Sequence, residues 1–373
     1  MVFAASDQEV RPASRGGLGR PRVLIVRAGA IGDTLMATPL VRAVRRTFPE
    51  GHLVFLCSSS ALDVVRHNPH VDQVIAVKYR HMPAWLSSEK SRIHHALRKL
   101  DLDWALVLES HPNFLDLARE GGAARIIAYS GDEHGQRFEA ARFDPQKHSI
   151  ENHLAAARPL GVRPDGLQME LHYPPEIDGG VAERLQQAGV TPADCLVGIH
   201  AGWGGRPRTT GQTRLRSWPP GRFAEVARWL VKERGARVAL TGSAADGPLV
   251  RYIAREAGVP CLDLAGKLSL LELAALIHRL NVYLTVDSGP GHMAAALGTT
   301  LVTLWGPAIF EQTVPLSPGN PPRILYHRVA CAPCYGTPLM KSCKDNICMK
   351  EIQIEEVQSA LDEVLSREGD IQR

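Results

Sequence analysis

Residues 284–307 have the types and spacing to bind an anion. Leu284-Thr-Val286 is a short apolar run that breaks at Asp287-Ser-Gly289. Pro290 and Gly291 then open a helical stretch through His292, closed by Gly298 and followed by the apolar run Leu301-Val-Thr-Leu304. A glycine-rich turn feeding a helix leaves backbone N–H groups and the positive dipole end converging on one spot. At the carboxyl end of a strand, that is where α/β proteins hold phosphates. The alternative is a plain strand–helix turn in which Ser288, Gly289 and Pro290 serve capping alone. Arg216 stands just before Trp218-Pro219 and downstream of Gly202-Trp-Gly-Gly205. Its planar fork suits diphosphate oxygens; the other reading is a basic loop shared with Arg206, Arg208 and Arg214.

Asp33 ends the segment Gly29-Ala-Ile-Gly32-Asp33 after a first apolar run. A dinucleotide fingerprint is excluded, because the third glycine is missing and Cys57-Ser-Ser-Ser60 stands where a ribose-binding acid would be. An acid here repels phosphate. It serves as a base, orients a hydroxyl, or caps the following helix.

Cys331, Cys334, Cys343 and Cys348 follow a C-x2-C-x8-C-x4-C spacing. Four thiolates so close can form a closed, structural zinc site; free thiols or a reversible disulfide are the other readings. A catalytic metal is not expected, since it would keep an open position. A basic strip includes Lys78, Arg80, Lys90 and Arg92, with Glu89 as its one acid and His94 and His95 beside it. Such a strip is a solvated helix face or a patch for an anionic acceptor at a membrane surface.

The elements that position these groups alternate regularly. Apolar runs at Arg22-Val-Leu-Ile-Val26, Val54–Cys57, Val74–Val77, Ala105–Leu108 and Arg125–Ala128 are separated by helical stretches. The pattern restarts with Cys195–His200, Arg237–Thr241 and the 284–306 element, with helices expected over Phe223–Arg234, from about Gly247, and over Leu268–Arg279. Two doubly wound, Rossmann-like α/β domains facing across a cleft follow from this alternation. The punctuation at Tyr173-Pro-Pro175 and Asp178-Gly-Gly180 sets the crossing there, giving domains over 21–178 and 190–350, and a final helix is expected over Ile352–Arg367. The first twenty residues read as a floppy leader.

With 373 residues, 45% hydrophobic and 22% charged, the chain has the composition of a soluble two-domain protein. A net charge of +4 is too small for a nucleic-acid-scale field. The sequence has neither a membrane-spanning apolar run of ~20 residues nor a signal-peptide core. The seven cysteines suit reduced thiols, hence a cytoplasmic setting.

Taken together, Gly-Asp33 after the first strand, a basic residue before Trp218-Pro219, and Asp287-Ser-Gly-Pro-Gly-His-Met-Ala-Ala-Ala-Leu-Gly298 followed by Leu304-Trp-Gly-Pro307 resemble glycosyltransferase family 9. These are the ADP-heptose:lipopolysaccharide heptosyltransferases of GT-B fold, and the likeness runs from about Val23 to Ile352. The resemblance implies an inverting, metal-independent transfer from an ADP-sugar to a lipopolysaccharide-core or related glycan, without nucleic acid. It implies donor contacts from Gly202, Arg216, Asp287, Ser288, Gly289, Gly291 and His292, with Asp33 as general base. Beside it, the basic strip leads to the expectation of an anionic glycolipid or glycan acceptor and of peripheral contact with the inner membrane. The loop from Gly204 to Arg214 is longer than is usual in the family, and Gly291 lies where the family accepts several residues. A nucleotide-sugar epimerase of the same fold and a non-enzymatic zinc-bearing module are the rival readings.

Overall fold

The computed structural model describes residues 20–78, 87–129, 138–202 and 215–371. Two six-stranded parallel sheets organise them. The first contains β1 (Arg22–Val26), β2 (His52–Ser58), β3 (Gln73–Val77), β4 (Trp104–Val107), β5 (Arg125–Ala128) and β6 (Phe138–Ala140). The second contains β7 (Leu196–His200), β8 (Arg237–Thr241), β9 (Cys261–Asp263), β10 (Val282–Val286), β11 (Leu301–Trp305) and β12 (Arg323–Tyr326). Strand order is β3-β2-β1-β4-β5-β6 in one sheet and β12-β11-β10-β7-β8-β9 in the other. Each is the doubly wound order, which reverses between its first and fourth strands. Ligands of such sheets sit at that reversal, beyond the strand carboxyl ends. The central strands are apolar at nearly every position because helices cover both faces.

The expected strands are present, and the sequence reading missed three short ones, β6, β9 and β12. All three are edge strands, with too few residues for a clear apolar run. The helices Pro220–Arg234, Gly247–Ala257 and Leu270–Arg279 fall where the periodicity set them, and the last helix covers Ile354–Ile371.

At the expected crossing the punctuation is taken up by a helix. Asp178-Gly-Gly180 does not break the chain but lies inside the helix Pro175–Gln187. Pro175 opens that helix and two acids, Glu176 and Asp178, occupy its first turn. Val181 and Leu185 bury its inner face, and Arg279 grips Asp178 with two bonds of 2.9 and 2.6 Å. These contacts outweigh the ~1 kcal/mol that each helical glycine costs. The extended segment ahead of the helix is pinned instead. Arg42 donates to Asp165, to the Gln168 carbonyl and to Glu170, while Thr38 Oγ1 accepts from the Glu170 N–H.

One apolar cluster joins the two sheets. Leu35, Met36 and Leu40 belong to the same buried core as Tyr283, Met293 and Ala294. Among the described residues, no helix is long and apolar enough to cross a membrane.

Candidate active site

Asp33 lies in the short helix Ile31–Leu35 directly after β1. One carboxylate oxygen accepts from the Ala30 N–H at 2.9 Å, so the side chain does cap its own helix. The other oxygen takes Arg27 Nη2 at 2.8 Å. Arg27 in turn donates to the Leu108 carbonyl at 2.9 Å and stands 3.5 Å from Glu109 Oε1. Arg27 leaves the end of β1 and Glu109 follows β4, so this group occupies the reversal point of the first sheet. Neither was singled out from the sequence. A charged residue directly closing an apolar strand was the available signal in both cases.

On the second sheet, Asp287 follows β10 and Gly202 follows β7, which again flank the reversal. Asp287 is 6% exposed, and its carboxylate pKa is raised by burial against the opposing pull of Arg216. Arg216 Nη1 lies 3.1 Å from Asp287 Oδ2. The angle is poor for a hydrogen bond, and Oδ2 accepts none. This is a charge contact without a directed bond, and it leaves acceptor capacity unused.

The helix Gly289–Leu297 begins here. Ser288 does not cap it, because its hydroxyl bonds Thr285 Oγ1 at 2.8 Å. Ser288 and Gly291 therefore serve the turn itself: the Gly291 N–H bonds the Ser288 carbonyl, and its Cα packs against Thr285. His292 faces the other domain. Burial lowers its imidazole pKa to about 4, against the pull of Asp33, so the ring is neutral near pH 7. Its Nδ1 has no hydrogen-bond partner.

The two halves meet directly. A Cβ on Gly32 would lie 2.6 Å from His292 Cδ2, and one on Gly289 would lie 3.0 Å from the Ile31 Cβ. Only glycine lets these helix starts approach so closely. Asp33 is thereby close enough to Asp287 and His292 to bear on the titration of both. His148, buried and bonded through Nε2 to the Val314 carbonyl, adds a second neutral imidazole near His292. No local sequence signal marked it. Gly202 lies at the end of β7 against Asp246, where a Cβ would overlap the carboxylate.

The basic strip comes apart. Arg80 lies outside the described residues, as does the loop from Gly204 to Arg214. Lys78 and Arg92 are exposed. Lys90 is fully buried, with its ammonium 5.8 Å from the Phe114 ring centre, so it forms no part of a surface patch. Helical periodicity turns position 90 inward together with Ile93 and Leu97.

The four clustered cysteines share one neighbourhood. Burial first, and then the nearby thiols, raise the pKa of Cys334, and raise that of Cys348 to about 11. All four are free, and among the described residues no group of three or more His, Cys, Asp or Glu side chains is set to hold a metal ion. Thiol donors of this kind suit a structural zinc. A cavity of about 760 Å³ lies at the opposite, amino ends of the second sheet's strands. Its arginines, Arg234 and Arg279, are paired with Asp362 and Asp178. It contributes nothing to the cleft.

Comparison with known proteins agrees with this geometry. The profile of glycosyltransferase family 9 (heptosyltransferase) matches residues 203–339. Lipopolysaccharide heptosyltransferase 2 of Salmonella typhimurium is 27% identical over 310 residues, covering 79% of this chain and 86% of the relative. The solved family 9 glycosyl transferase of Veillonella parvula superposes with a TM-score of 0.78 at 21% identity, over 94% of this chain and 98% of that one. Escherichia coli ADP-heptose lps heptosyltransferase II gives 0.72 at 21% identity, over 93% and 99%. The two-sheet GT-B architecture is shared along nearly the full length. With the profile covering the donor-side turn and Arg216, and the sequence relatives extending over most of both domains, the chain is similar to glycosyltransferase family 9 along most of its length, and these similarities support a glycosyltransferase.

Proposed function

We propose that this enzyme transfers a heptose from ADP-heptose to a hydroxyl of a lipopolysaccharide-core or related glycan, with inversion at the sugar C1. Asp33 takes the acceptor proton as the new O–C1 bond forms. The bond from C1 to the diphosphate oxygen breaks at the same time, and ADP leaves with the electron pair. Arg216 and the start of the Gly289–Leu297 helix stabilise the growing diphosphate charge without a catalytic metal. Neutral His292 donates or accepts a hydrogen bond, depending on tautomer, rather than supplying charge. The observation that carries the reading is the direct packing of Gly32 on His292, which sets Asp33 against the donor turn.

The relatives' names supply the sugar and the acceptor class: the matched proteins are lipopolysaccharide heptosyltransferases. Lys78 and Arg92, the exposed remnant of the basic strip, would face an anionic acceptor from the cytoplasmic side of the membrane. Incubating the purified chain with ADP-heptose and a Kdo-lipid acceptor, followed by mass spectrometry, should show the acceptor gain one heptose as ADP is released. ADP release unchanged by the acceptor, or no product with any ADP-sugar, would refute it. Structural zinc on Cys331, Cys334, Cys343 and Cys348 is a separate proposal, supported by the donor chemistry and by the neighbourhood that the thiols share. About one metal per chain is expected by four-ligand logic, and a metal-free chain with four reactive thiols rejects it.

A further inference from the structure

Arg216 occupies no long helix or strand, so neighbouring side chains must fix its guanidinium. Its Cζ lies 4.3 Å from the centre of the Tyr335 ring, a cation–π contact on the side chain that also meets Asp287. Asn346 Nδ2 donates to the Ser217 carbonyl at 2.8 Å and to the Leu215 carbonyl at 3.4 Å, one residue to each side. Leu215 is buried in a small apolar cluster with Cys334 and Met340. Tyr335 and Asn346 both belong to the cysteine-bearing segment, which is itself anchored beside the catalytic sheet. The N–H groups of Cys334 and Tyr335 both bond the Pro307 carbonyl at 3.0 Å, just beyond β11, and Thr337 Oγ1 bonds the Cys334 carbonyl at 2.7 Å.

We propose that the segment from Cys331 to Met349 is a positioning platform for Arg216, with the Tyr335 ring against its guanidinium and the Asn346 amide fixing the backbone on either side of it, where the side chain receives the donor diphosphate. This rests on the assignment of Arg216 to the donor site made above. A guanidinium already oriented loses less side-chain freedom when the diphosphate arrives, so the platform strengthens donor binding without touching the donor. Tyr335 is 46% exposed, so its ring contributes little to the core and can be replaced without unfolding the chain.

The test is calorimetry with ADP on the full chain. A cation–π contact at an exposed site is worth ~0.5–1 kcal/mol, so Tyr335→Leu should weaken ADP binding about two- to fivefold at an unchanged melting temperature. Tyr335→Phe keeps the aromatic face and should bind like wild type. In the Arg216→Ala background, Tyr335→Leu should have no further effect, which a merely structural role would not produce. Asn346→Asp, which turns an acceptor toward two carbonyls, should show the same coupling to Arg216. Unchanged ADP affinity in Tyr335→Leu, or effects that add to those of Arg216→Ala, would overturn the platform while leaving the donor site intact. Wild-type ADP affinity in Arg216→Ala would instead remove the donor assignment and the platform with it.

Discussion

Asp33 has two roles in one carboxylate. One oxygen satisfies the Ala30 N–H at the start of its helix, and the other takes a charge-assisted bond from Arg27. Capping and base function, alternatives when judged from sequence, are therefore compatible. Asp33→Asn separates them, because an amide can still accept from Ala30 but cannot take a proton. A general base contributes typically ~10²–10⁴-fold, so turnover should fall by about that much. ADP affinity and melting temperature should barely move, since Glu109 remains beside Arg27. Asp33→Ala should in addition cost ~1 kcal/mol of stability through the lost cap. Turnover of Asp33→Asn at the wild-type rate would put the base elsewhere.

At the scale of elements, the site depends on two helix starts packed against each other. Neither Ile31–Leu35 nor Gly289–Leu297 is long, and their approach is set by Gly32 and Gly289, not by propensity. A methyl on Gly32 would lie 2.6 Å from the ring of His292, a residue only 4% exposed. Overpacking of this kind costs ~1–3 kcal/mol. Gly32→Ala should thus lower the denaturation midpoint and reduce turnover more than ADP affinity, since the acceptor side is displaced from an intact donor side. Equal stability and activity in the variant would show that the helices part freely. The glycine-rich spelling of both turns was legible in the sequence, but that one glycine faces a histidine more than 250 residues away was not.

The whole molecule contains buried ionisable groups whose titration links pH to folding. Burial lowers the pKa of both His200 and His292 to about 4 from the 6.5 of an exposed imidazole. Between those values the unfolded chain binds more protons than the folded one, so stability is fully present above pH 6.5 and is lost as pH falls toward 4. Each histidine contributes ~3 kcal/mol at most over that window. Glu170 acts lower. Its burial would raise the carboxyl, but His172 and Arg42 hold it down at about 2, so its contribution fades from about 4.5 downward. Urea midpoints measured from pH 7.5 to 4 should therefore drop steadily below 6.5. A flat profile across that range would mean that these rings are solvated.

Much of this was written in the sequence. Apolar runs alternating with amphipathic stretches point to two doubly wound sheets, because a parallel strand buried on both faces admits few polar positions. The turns carrying Asp33 and Asp287 are legible because a strand–helix junction needs particular residue types. Local patterns could not decide what depends on distant partners. Helical Asp178-Gly-Gly180 is held by Arg279 and by buried neighbours, and the ring under Arg216 likewise comes from a residue far along the chain. Only the tertiary structure decided that Asp33 meets the donor turn, since that contact requires both sheets to fold, the segment gripped by Arg42 to cross between them, and two glycines to touch.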